Sequence, residues 1–276
     1  MSLWRHLRKD PLAMVAFGLL CVLLLAAMIG LVAGADPQAI GTMRLQPPSS
    51  GAWLGTDSLG RDLFARVLEG TRTTVLISVV AVLISTLVAI VLGITAAVVG
   101  GVVDIVVMRV ADALLAFPAV LLGIVVAAIV GGGPRAAVTT IVIVTLPLML
   151  RVFRTAAVEV VHRDFYTASQ VGGAGLVRLS TKHVVRNIAG AIAVQLTYAA
   201  SVAMLVEGSI SFLGFGVAPP GASLGSLVQD GAPYLTLAPW LALAPGCVLA
   251  LAIMSINLLG DTLRDALEPR EERGLQ

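Results

Sequence analysis

The sequence predicts an all-helical integral membrane protein with six transmembrane helices. Of its 276 residues, 58% are hydrophobic and only 12% are charged, and the mean hydropathy is +0.99. Ordinary soluble domains carry about 25% charged residues, so this chain cannot cover its apolar surface in water. Apolar runs of about 20 residues, the length that crosses a bilayer, occur repeatedly along it. Inside a bilayer each run must satisfy its own backbone amides, which favours a helix.

The predicted spans, in chain order, are Leu12–Val32, Thr74–Val99, Ala113–Val130, Ala136–Val152, Ile188–Ile210 and Ala238–Leu259. The first is longer than the roughly 7–15 apolar residues of a signal peptide. We therefore interpret it as a retained span, with cleavage near Ala33-Gly34-Ala35 as the alternative. The third follows Asp104, Arg109 and Asp112, which can pair with one another, so we expect that helix to begin in the aqueous phase. Pro118 is expected to kink it.

The basic residues predict that both termini are cytoplasmic. They concentrate in the N-terminal tail, between spans four and five, and after span six, at Arg5, Arg8, Lys9, Arg151, Arg154, Arg163, Arg178, Lys182, Arg186, Arg264, Arg270 and Arg273. With six spans these segments share one side, which the positive-inside rule assigns to the cytoplasm. The connection after span five, residues 211–237, has no Lys or Arg and is expected outside. The first outer loop is a partial exception, with Arg44, Arg61, Arg66 and Arg72.

The chain divides into residues 1–73, with the tail, first span and outer loop, and residues 74–276, with the other five spans. Within the outer loop, Leu63 and Val67 share one face of a predicted helix, and Asp62 and Arg66 share the other. Asp62 and Arg66 are four residues apart and can form an ion pair. We interpret this segment as a short amphipathic helix on the outer membrane surface.

The cytoplasmic connection, residues 153–187, contains the small and polar stretch DFYTASQVGGAG. Asp164 is a favourable helix N-cap, and Phe165, Ala168 and Val171 fall on one helical face. Glycines at 172, 173 and 175 then end the helix and permit a turn. Such a helix suits insertion into a groove on a partner protein. The alternative is a solvated connector whose arginines only set the topology.

This stretch resembles the EAA loop of the membrane subunits of bacterial ABC importers. Ala168-Ser169, followed by three residues and Gly173, keeps the spacing of that loop, and His183 continues the pattern. Thr167 stands where Glu is usual, and Arg186 stands where Pro is usual. The resemblance implies that a coupling helix docks on an ATPase subunit through Asp164, Phe165, Thr167, Ala168, Ser169, Gly172, Gly173, Ala174, Arg178 and His183.

Other segments resemble the peptide and nickel branch of these permeases. Residues 53–62 (WLGTDSLGRD) are similar to the segment that leads into its second span. Residues 211–217 (SFLGFGV) with Pro219-Pro220 are similar to its outer loop after the fifth span. Residues 257–261 (NLLGD) and 263–267 (LRDAL) are similar to its C-terminal end. These matches occur in the expected order over most of the chain.

The resemblance implies a type I ABC importer permease in the inner membrane of a bacterium. The implied partners are a second, homologous permease subunit, two ATPase subunits and an extracytoplasmic substrate-binding protein. ATP and Mg²⁺ would be bound by the ATPase subunits, since this chain has no G-x-x-x-x-G-K-[ST] motif and no cofactor of its own is expected. Short peptides are the first expected substrate, and a nickel chelate is the second. An ion-coupled secondary transporter is the rival class, but the sequence shows no clear internal repeat or midplane acid.

The outer loop 211–237 is expected to act as a gate or docking loop. Its glycines and prolines exclude a continuous helix, so its backbone must be buried in protein or line a wet vestibule. The candidate residues are Glu207, Ser211, Phe212, Leu213, Gly214, Phe215 and Asp230. Glu207 is expected to reach interfacial water or a backbone amide of the loop. Asp230 is expected either to meet a cation or to be a solvated surface residue.

Several other patterns are not expected to carry chemistry. Residues 221–225 (GASLG) match G-x-S-x-G, but a serine nucleophile needs a nearby base. The three histidines, His6, His162 and His183, are all predicted on the opposite side. No metal site is expected, and Cys21 and Cys247 are interpreted as small buried hydrophobes. A net charge of +2 gives no indication of a nucleic-acid partner.

Overall fold

A computed structural model describes residues 11–32, 36–41 and 43–267 and is helical throughout its main elements. The helices are α1 (Pro11–Val32), α2 (Leu63–Val99), α3 (Gly101–Leu115), α4 (Ala119–Val130), α5 (Pro134–Val161), α6 (Asp164–Val171), α7 (Leu176–Arg178), α8 (Ala189–Phe212), α9 (Leu224–Gly231) and α10 (Trp240–Leu267). A π-helix, Leu179–Val185, precedes α8, and a 3₁₀ turn, Ala232–Tyr234, follows α9. The basic tails used to predict the orientation lie outside the described residues, apart from Arg264.

Four of these helices, α2, α5, α8 and α10, are long and apolar enough to cross a membrane. The pair α3 and α4 raises this number to five if it counts as one broken span. Helix α1 covers the first predicted span, and its segment Pro11–Leu25 is a shorter apolar helix. The second, fourth, fifth and sixth predicted spans are therefore confirmed as membrane-capable helices. Of the two cysteines, Cys21 is half-buried and Cys247 is exposed, so the expectation that both are buried is wrong.

The predicted outer amphipathic helix and the second span form one continuous helix. Helix α2 has 37 residues, which gives a length of about 55 Å at 1.5 Å per residue. Asp62 is its N-cap, and Asp62 Oδ1 accepts a hydrogen bond from the Ala65 N–H at 3.1 Å. The ion pair predicted between Asp62 and Arg66 is wrong, because Arg66 instead faces Asp57 and Asp230. Arg66 is also buried, so this turn of the helix is not an exposed polar face.

The third predicted span is not one helix. Helices α3 and α4 meet at an angle of 95°. Pro118 is the N-cap of α4, and a proline disfavours helical geometry in the residue before it. The expected kink at Pro118 is thus a full break. With 12 residues, α4 extends about 18 Å, which is less than the thickness of the hydrocarbon core.

Two ion pairs hold α3 against α5. Arg154 Nε and Nη2 donate to Asp104 Oδ1 and Oδ2 at 2.9 and 2.5 Å. Arg151 Nη2 donates to Asp112 Oδ1 at 2.5 Å. The expectation that Asp104, Arg109 and Asp112 neutralise one another is therefore wrong, because the two aspartates pair across to the neighbouring helix.

The core has two main parts that position the candidate sites. The larger cluster lies between α2, α5 and α8 and includes Ile141, Met149, Phe153 and Ala203, all fully buried. The second cluster joins the start of α2, α9 and α10 through Leu63, Val67, Leu224, Leu227 and Leu241. The predicted cytoplasmic segment (residues 153–187) packs against the first cluster, and the predicted outer loop (residues 211–237) is built into the second.

Candidate functional site

The predicted cytoplasmic segment contains a short helix that ends in a Schellman motif. Helix α6 covers Asp164–Val171. After it, the Gly173 N–H donates to Gln170 O at 3.0 Å, and the Ala174 N–H donates to Ser169 O at 3.1 Å. These two bonds define the motif, whose C′ residue takes a left-handed conformation. Gly173 occupies that position with φ of +82°, so the predicted helix and its glycine stop are confirmed.

The start of α6 differs from the prediction by one residue. Arg163, with φ of −84° and ψ of 145°, is the N-cap, and Asp164 is the first helical residue. The expected N-cap role of Asp164 is therefore wrong. Its carboxylate still lies in the first turn, where negative charge interacts favourably with the helix dipole.

Tyr166 anchors α6 to the body of the protein. It is 3% exposed and joins the main core cluster, together with Leu179 and Val184 of the following π-helix. Burial raises the pKa of the Tyr166 hydroxyl. Sequence reasoning missed this residue because it followed the Phe165 face, although an aromatic residue on the opposite face was the available signal. The segment is thus fixed in place on one side only.

The other side of the cytoplasmic segment is apolar and exposed. Val171 and Val177 are 85% and 78% exposed, and Phe165 and Leu176 are exposed as well. Thr167, Ala168, Gly172 and Arg178 share this accessibility, whereas Ser169, Ala174 and His183 are half-buried. The Phe165 ring lies 6.2 Å from the His183 ring, measured between centroids. Several exposed apolar side chains on one short segment are typical of a protein interaction site.

The outer loop folds back into the protein as helix α9. Ser223 is its N-cap and forms a capping box with Ser226, in which Ser223 Oγ accepts from the Ser226 N–H at 3.3 Å. Ser226 Oγ in turn accepts from the Ser223 N–H at 2.9 Å. The G-x-S-x-G pattern is therefore explained by helix capping.

Glycines let α9 lie directly against three other helices. A Cβ on Gly225 would lie 2.8 Å from the Cα of Gly208 in α8, and one on Gly231 would lie 2.6 Å from Ala242 N in α10. A Cβ on Gly70 of α2 would lie 3.1 Å from Leu227 Cδ1. The expectation that the backbone of this loop is buried in protein is confirmed for α9.

Replacing Gly225 with alanine is expected to displace α9. The new methyl group would overlap the backbone of α8, which cannot move aside as a flexible side chain could. We expect a loss of about 2 kcal/mol or more in the free energy of unfolding, measured as a lower thermal midpoint in detergent. Gly246→Ala is the matched control, since its nearest neighbour would be Val228 Cγ2 at 3.8 Å. Equal midpoints for the two variants would contradict this packing.

Glu207 joins three elements through hydroxyl groups. It is fully buried, and its Oε2 and Oε1 accept hydrogen bonds from Thr74 Oγ1 at 2.8 Å and Ser211 Oγ at 2.7 Å. Thr74 Oγ1 also accepts from the Leu224 N–H at 3.1 Å. The expectation that Glu207 reaches interfacial water or a loop amide directly is wrong, because Thr74 stands between the carboxylate and the amide. Thr74 carried no sequence signal, since its partner is 133 residues away.

The C-terminal end of α8 repeats the turn seen at the end of α6. The Gly214 N–H donates to Ser211 O at 3.0 Å, and the Phe215 N–H donates to Ile210 O at 3.1 Å. Gly214 has φ of +85°, so this is a second Schellman motif. Phe212 and Leu213 are 43% and 42% exposed beside it, and Phe215 is half-buried.

A buried arginine connects the first outer loop to the second. The Arg66 side chain is 1% exposed, and its Nη1 donates to Pro220 O at 3.3 Å. Its Nε lies 3.7 Å from Asp57 Oδ2, and its Nη2 lies 3.9 Å from Asp230 Oδ2. Asp57 also accepts from Arg61 Nε at 2.6 Å. Burial raises the pKa of Asp230 and the charge of Arg66 opposes this shift, although the Asp230 side chain is half exposed.

Comparison with known proteins decides the family. The family of binding-protein-dependent transport system inner membrane components matches residues 89–273. This range includes the predicted cytoplasmic segment and the predicted outer loop, but it does not include Arg66 or Thr74. The chain belongs to this family. The N-terminal transmembrane domain of oligopeptide transport permease C matches residues 2–48.

Individual relatives of this chain are named as permease proteins of peptide transport systems. A peptide transport system permease protein of Brucella suis is 37% identical over 253 residues, covering 91% of this chain and 85% of the relative. The di/tripeptide transport system permease protein DppC of Pseudomonas aeruginosa is 38% identical over 217 residues, covering 79% and 72%. A peptide ABC transporter permease protein of Sinorhizobium fredii is 34% identical over 270 residues, covering 98% and 92%.

Proposed function

We propose that this chain is one of two permease subunits in an ATP-driven importer of short peptides. The importer would lie in the bacterial inner membrane, with an extracytoplasmic binding protein delivering the peptide. Family membership supports the permease role, and the peptide names of the relatives support the substrate class. Those names give no support to the nickel alternative. The chain itself would not be the catalyst, because separate ATPase subunits would bind ATP and Mg²⁺.

The proposal includes six spans with both termini in the cytoplasm. Basic residues in the tails and between spans four and five support this orientation. The membrane-capable helices of the described chain are compatible with it if α1 and the α3–α4 pair also count as spans. In this orientation α6 faces the cytoplasm and α9 lies near the outer surface.

The observation that carries the proposal is the exposed apolar side of the cytoplasmic segment. Tyr166 holds the segment on one side, and Phe165 and Val171 project from the other. An apolar surface on a short helix outside the bilayer fits a groove on a second protein. Docking of each ATPase subunit on such a segment would let ATP-driven closure move the permease helices and alternate access to the pathway. A second, homologous permease subunit would complete that pathway.

Uptake by whole cells tests this function. We would compare labelled dipeptides and tripeptides with labelled nickel chelate, in cells with and without this chain, and with and without a proton ionophore. Uptake would be timed so that cellular ATP stays high. We expect chain-dependent peptide uptake that resists the ionophore.

Two results would contradict the proposal in different ways. Peptide uptake that collapses with the proton gradient while ATP is intact would indicate the secondary transporter. Chain-dependent uptake of nickel chelate without peptide uptake would retain the importer but exclude its proposed substrate.

A further inference from the structure

Helix α8 connects the two candidate sites. It begins at Ala189, shortly after the π-helix that packs the cytoplasmic segment against the core, and it ends at Phe212 beside the outer turn. Its 24 residues extend about 36 Å, which exceeds the hydrocarbon thickness of a bilayer. Helix α8 is therefore a rigid element long enough to carry a displacement of the cytoplasmic segment to the outer side.

The outer end of α8 is in backbone contact with α9. The backbone of α8 at Gly208 lies so close to Gly225 that a Cβ on Gly225 would lie 2.8 Å from the Cα of Gly208. A packed contact of this kind transmits a push, because the interior is close-packed and has low compressibility. It does not by itself transmit a pull, because nothing covalent or hydrogen-bonded joins the two glycines.

The Glu207 relay supplies that attachment. The Leu224 N–H, at the start of α9, donates to Thr74 Oγ1, and Thr74 Oγ1 donates to Glu207 Oε2 on α8. Ser211 Oγ holds the second carboxylate oxygen from the next turn of α8, and the side chain of Ser223, the N-cap of α9, lies beside the same carboxylate. Thr74 and Glu207 are fully buried, so water does not replace these bonds when they stretch. Hydrogen bonds in such buried surroundings are stronger than those made in water.

We propose that Glu207, acting through Thr74, makes the outer helix α9 follow the movement of α8 during transport. This inference rests on the proposed importer function, in which the cytoplasmic segment moves when ATP binds. Glu207 and Thr74 are then positioning residues for the outer loop. They transmit movement from the cytoplasmic side and need not contact the peptide.

The Thr74 hydroxyl is the point at which the relay can be cut with little change of shape. Thr74→Val removes the hydroxyl and keeps the volume, and Thr74→Ser restores the hydroxyl. Thr71→Val is the matched control one turn earlier on α2, because Thr71 is also buried but its Oγ1 donates only within the helix, to Val67 O at 2.7 Å. Recovery of the assembled complex would be measured for each variant.

Two cysteine reporters would follow α8 and the α9 region separately. They are Leu213→Cys at the end of α8 and Leu237→Cys beyond α9, each in a chain with Cys21 and Cys247 replaced by alanine. Both leucines are exposed, at 42% and 67%. The complete complex, with its ATPase subunits and binding protein, would be placed in nanodiscs. Labelling by a polar maleimide would be measured with and without ATP and Mg²⁺, beside peptide-stimulated ATP hydrolysis and, in proteoliposomes, uptake.

We expect ATP to change the labelling of both reporters in the parent chain and in Thr71→Val. In Thr74→Val the Leu213→Cys reporter should still respond, whereas the response of Leu237→Cys should fall about tenfold, the effect of losing one buried hydrogen bond. Uptake should fall by a similar factor while ATP hydrolysis continues. Thr74→Ser should restore both, which a general loss of stability would not predict.

Each of the other possible results would contradict one part of the proposal. If both reporters respond in Thr74→Val as they do in Thr71→Val, the relay does not attach α9 to α8. If Thr74→Val abolishes both responses, the role of Thr74 lies in the stability of the packing between α2 and α8. The same conclusion follows if the complex assembles with neither Thr74→Val nor Thr74→Ser. If neither reporter responds in the parent chain during ATP hydrolysis, the movement assumed by the proposed function is absent, and both proposals are wrong.

Discussion

Replacing Gly173 with valine is expected to abolish most peptide uptake while the subunit still assembles. Gly173 is the C′ residue of the Schellman motif, with φ of +82°. A β-branched side chain in this conformation costs about 1–2 kcal/mol or more, so the turn should change and reorient the exposed face of α6. We expect uptake to fall by roughly tenfold or more, since each 1.4 kcal/mol corresponds to a factor of ten. Bulkier residues such as Trp should act in the same direction.

Gly175 provides the matched control for this experiment. A Cβ at Gly175, like one at Gly173, would meet no atom within 4 Å, but Gly175 has φ of −68°. Gly175→Val should therefore retain uptake, and Gly173→Asn should retain more uptake than Gly173→Val because Asn tolerates left-handed geometry. Hydrolysis of ATP by the assembled complex should continue without uptake in Gly173→Val. Normal uptake by Gly173→Val would show that this turn has no coupling role.

Replacing Arg66 with methionine is expected to cause the largest loss of stability. The guanidinium is buried among Asp57, Asp230 and the carbonyl of Pro220. Methionine fills similar space but leaves the buried carboxylate of Asp57 with only Arg61 as a cationic partner. Breaking a buried charge pair costs about 3 kcal/mol or more, which should appear as a lower thermal midpoint of the purified complex. The thermal midpoint of Arg66→Lys should lie between those of the parent chain and Arg66→Met, because Lys keeps the charge but lacks the planar fork of the guanidinium.

Arg151→Met is the control for the loss of an arginine charge. Arg151 pairs with Asp112, but their side chains are 49% and 46% exposed. An exposed ion pair of this kind contributes about 1 kcal/mol or less. If Arg151→Met lowers the midpoint as much as Arg66→Met, burial is not what makes Arg66 important for stability.

The cytoplasmic segment was largely predictable because its structure is local. A helix that begins near Asp164 and a glycine stop at Gly173 depend on residues within one or two turns of each other. The same local signals did not show which face of the helix packs against the rest of the protein. Its attachment through Tyr166 depends on packing against the main core cluster, which periodicity within eight residues cannot reveal.

The outer loop was predictable in composition but not in its contacts. Glycines and prolines excluded a continuous helix, and the bilayer required a buried backbone. The short helix α9 and its glycine contact with α8 are tertiary features. Glu207 was singled out from the sequence as an ionisable residue in a predicted membrane span. Its partner Thr74 could not be identified, because a threonine in an apolar helix has no distinctive pattern.

The charged residues show the same division between local and tertiary information. The sequence predicted that Asp62 would pair with Arg66, four residues on, and that Asp104 would pair with Arg109, five residues on, and both partners were wrong. Asp104 meets Arg154, which is 50 residues away, and Arg66 meets the carbonyl of Pro220, which is 154 residues away. Buried charges take the nearest partner in space, and that partner depends on which helices pack together.

The sequence alone predicts the helices and the approximate extent of most spans, because hydrocarbon imposes a helix on each apolar run whatever its neighbours are. The family resemblance also follows from the sequence, since it rests on short local motifs. The break between α3 and α4, the burial of Arg66 and the relay from Leu224 through Thr74 to Glu207 were decided only by the tertiary structure. Each of these features depends on the close approach of segments distant in the chain. Local periodicity describes which face of a helix is apolar, but packing selects the atoms that the face meets.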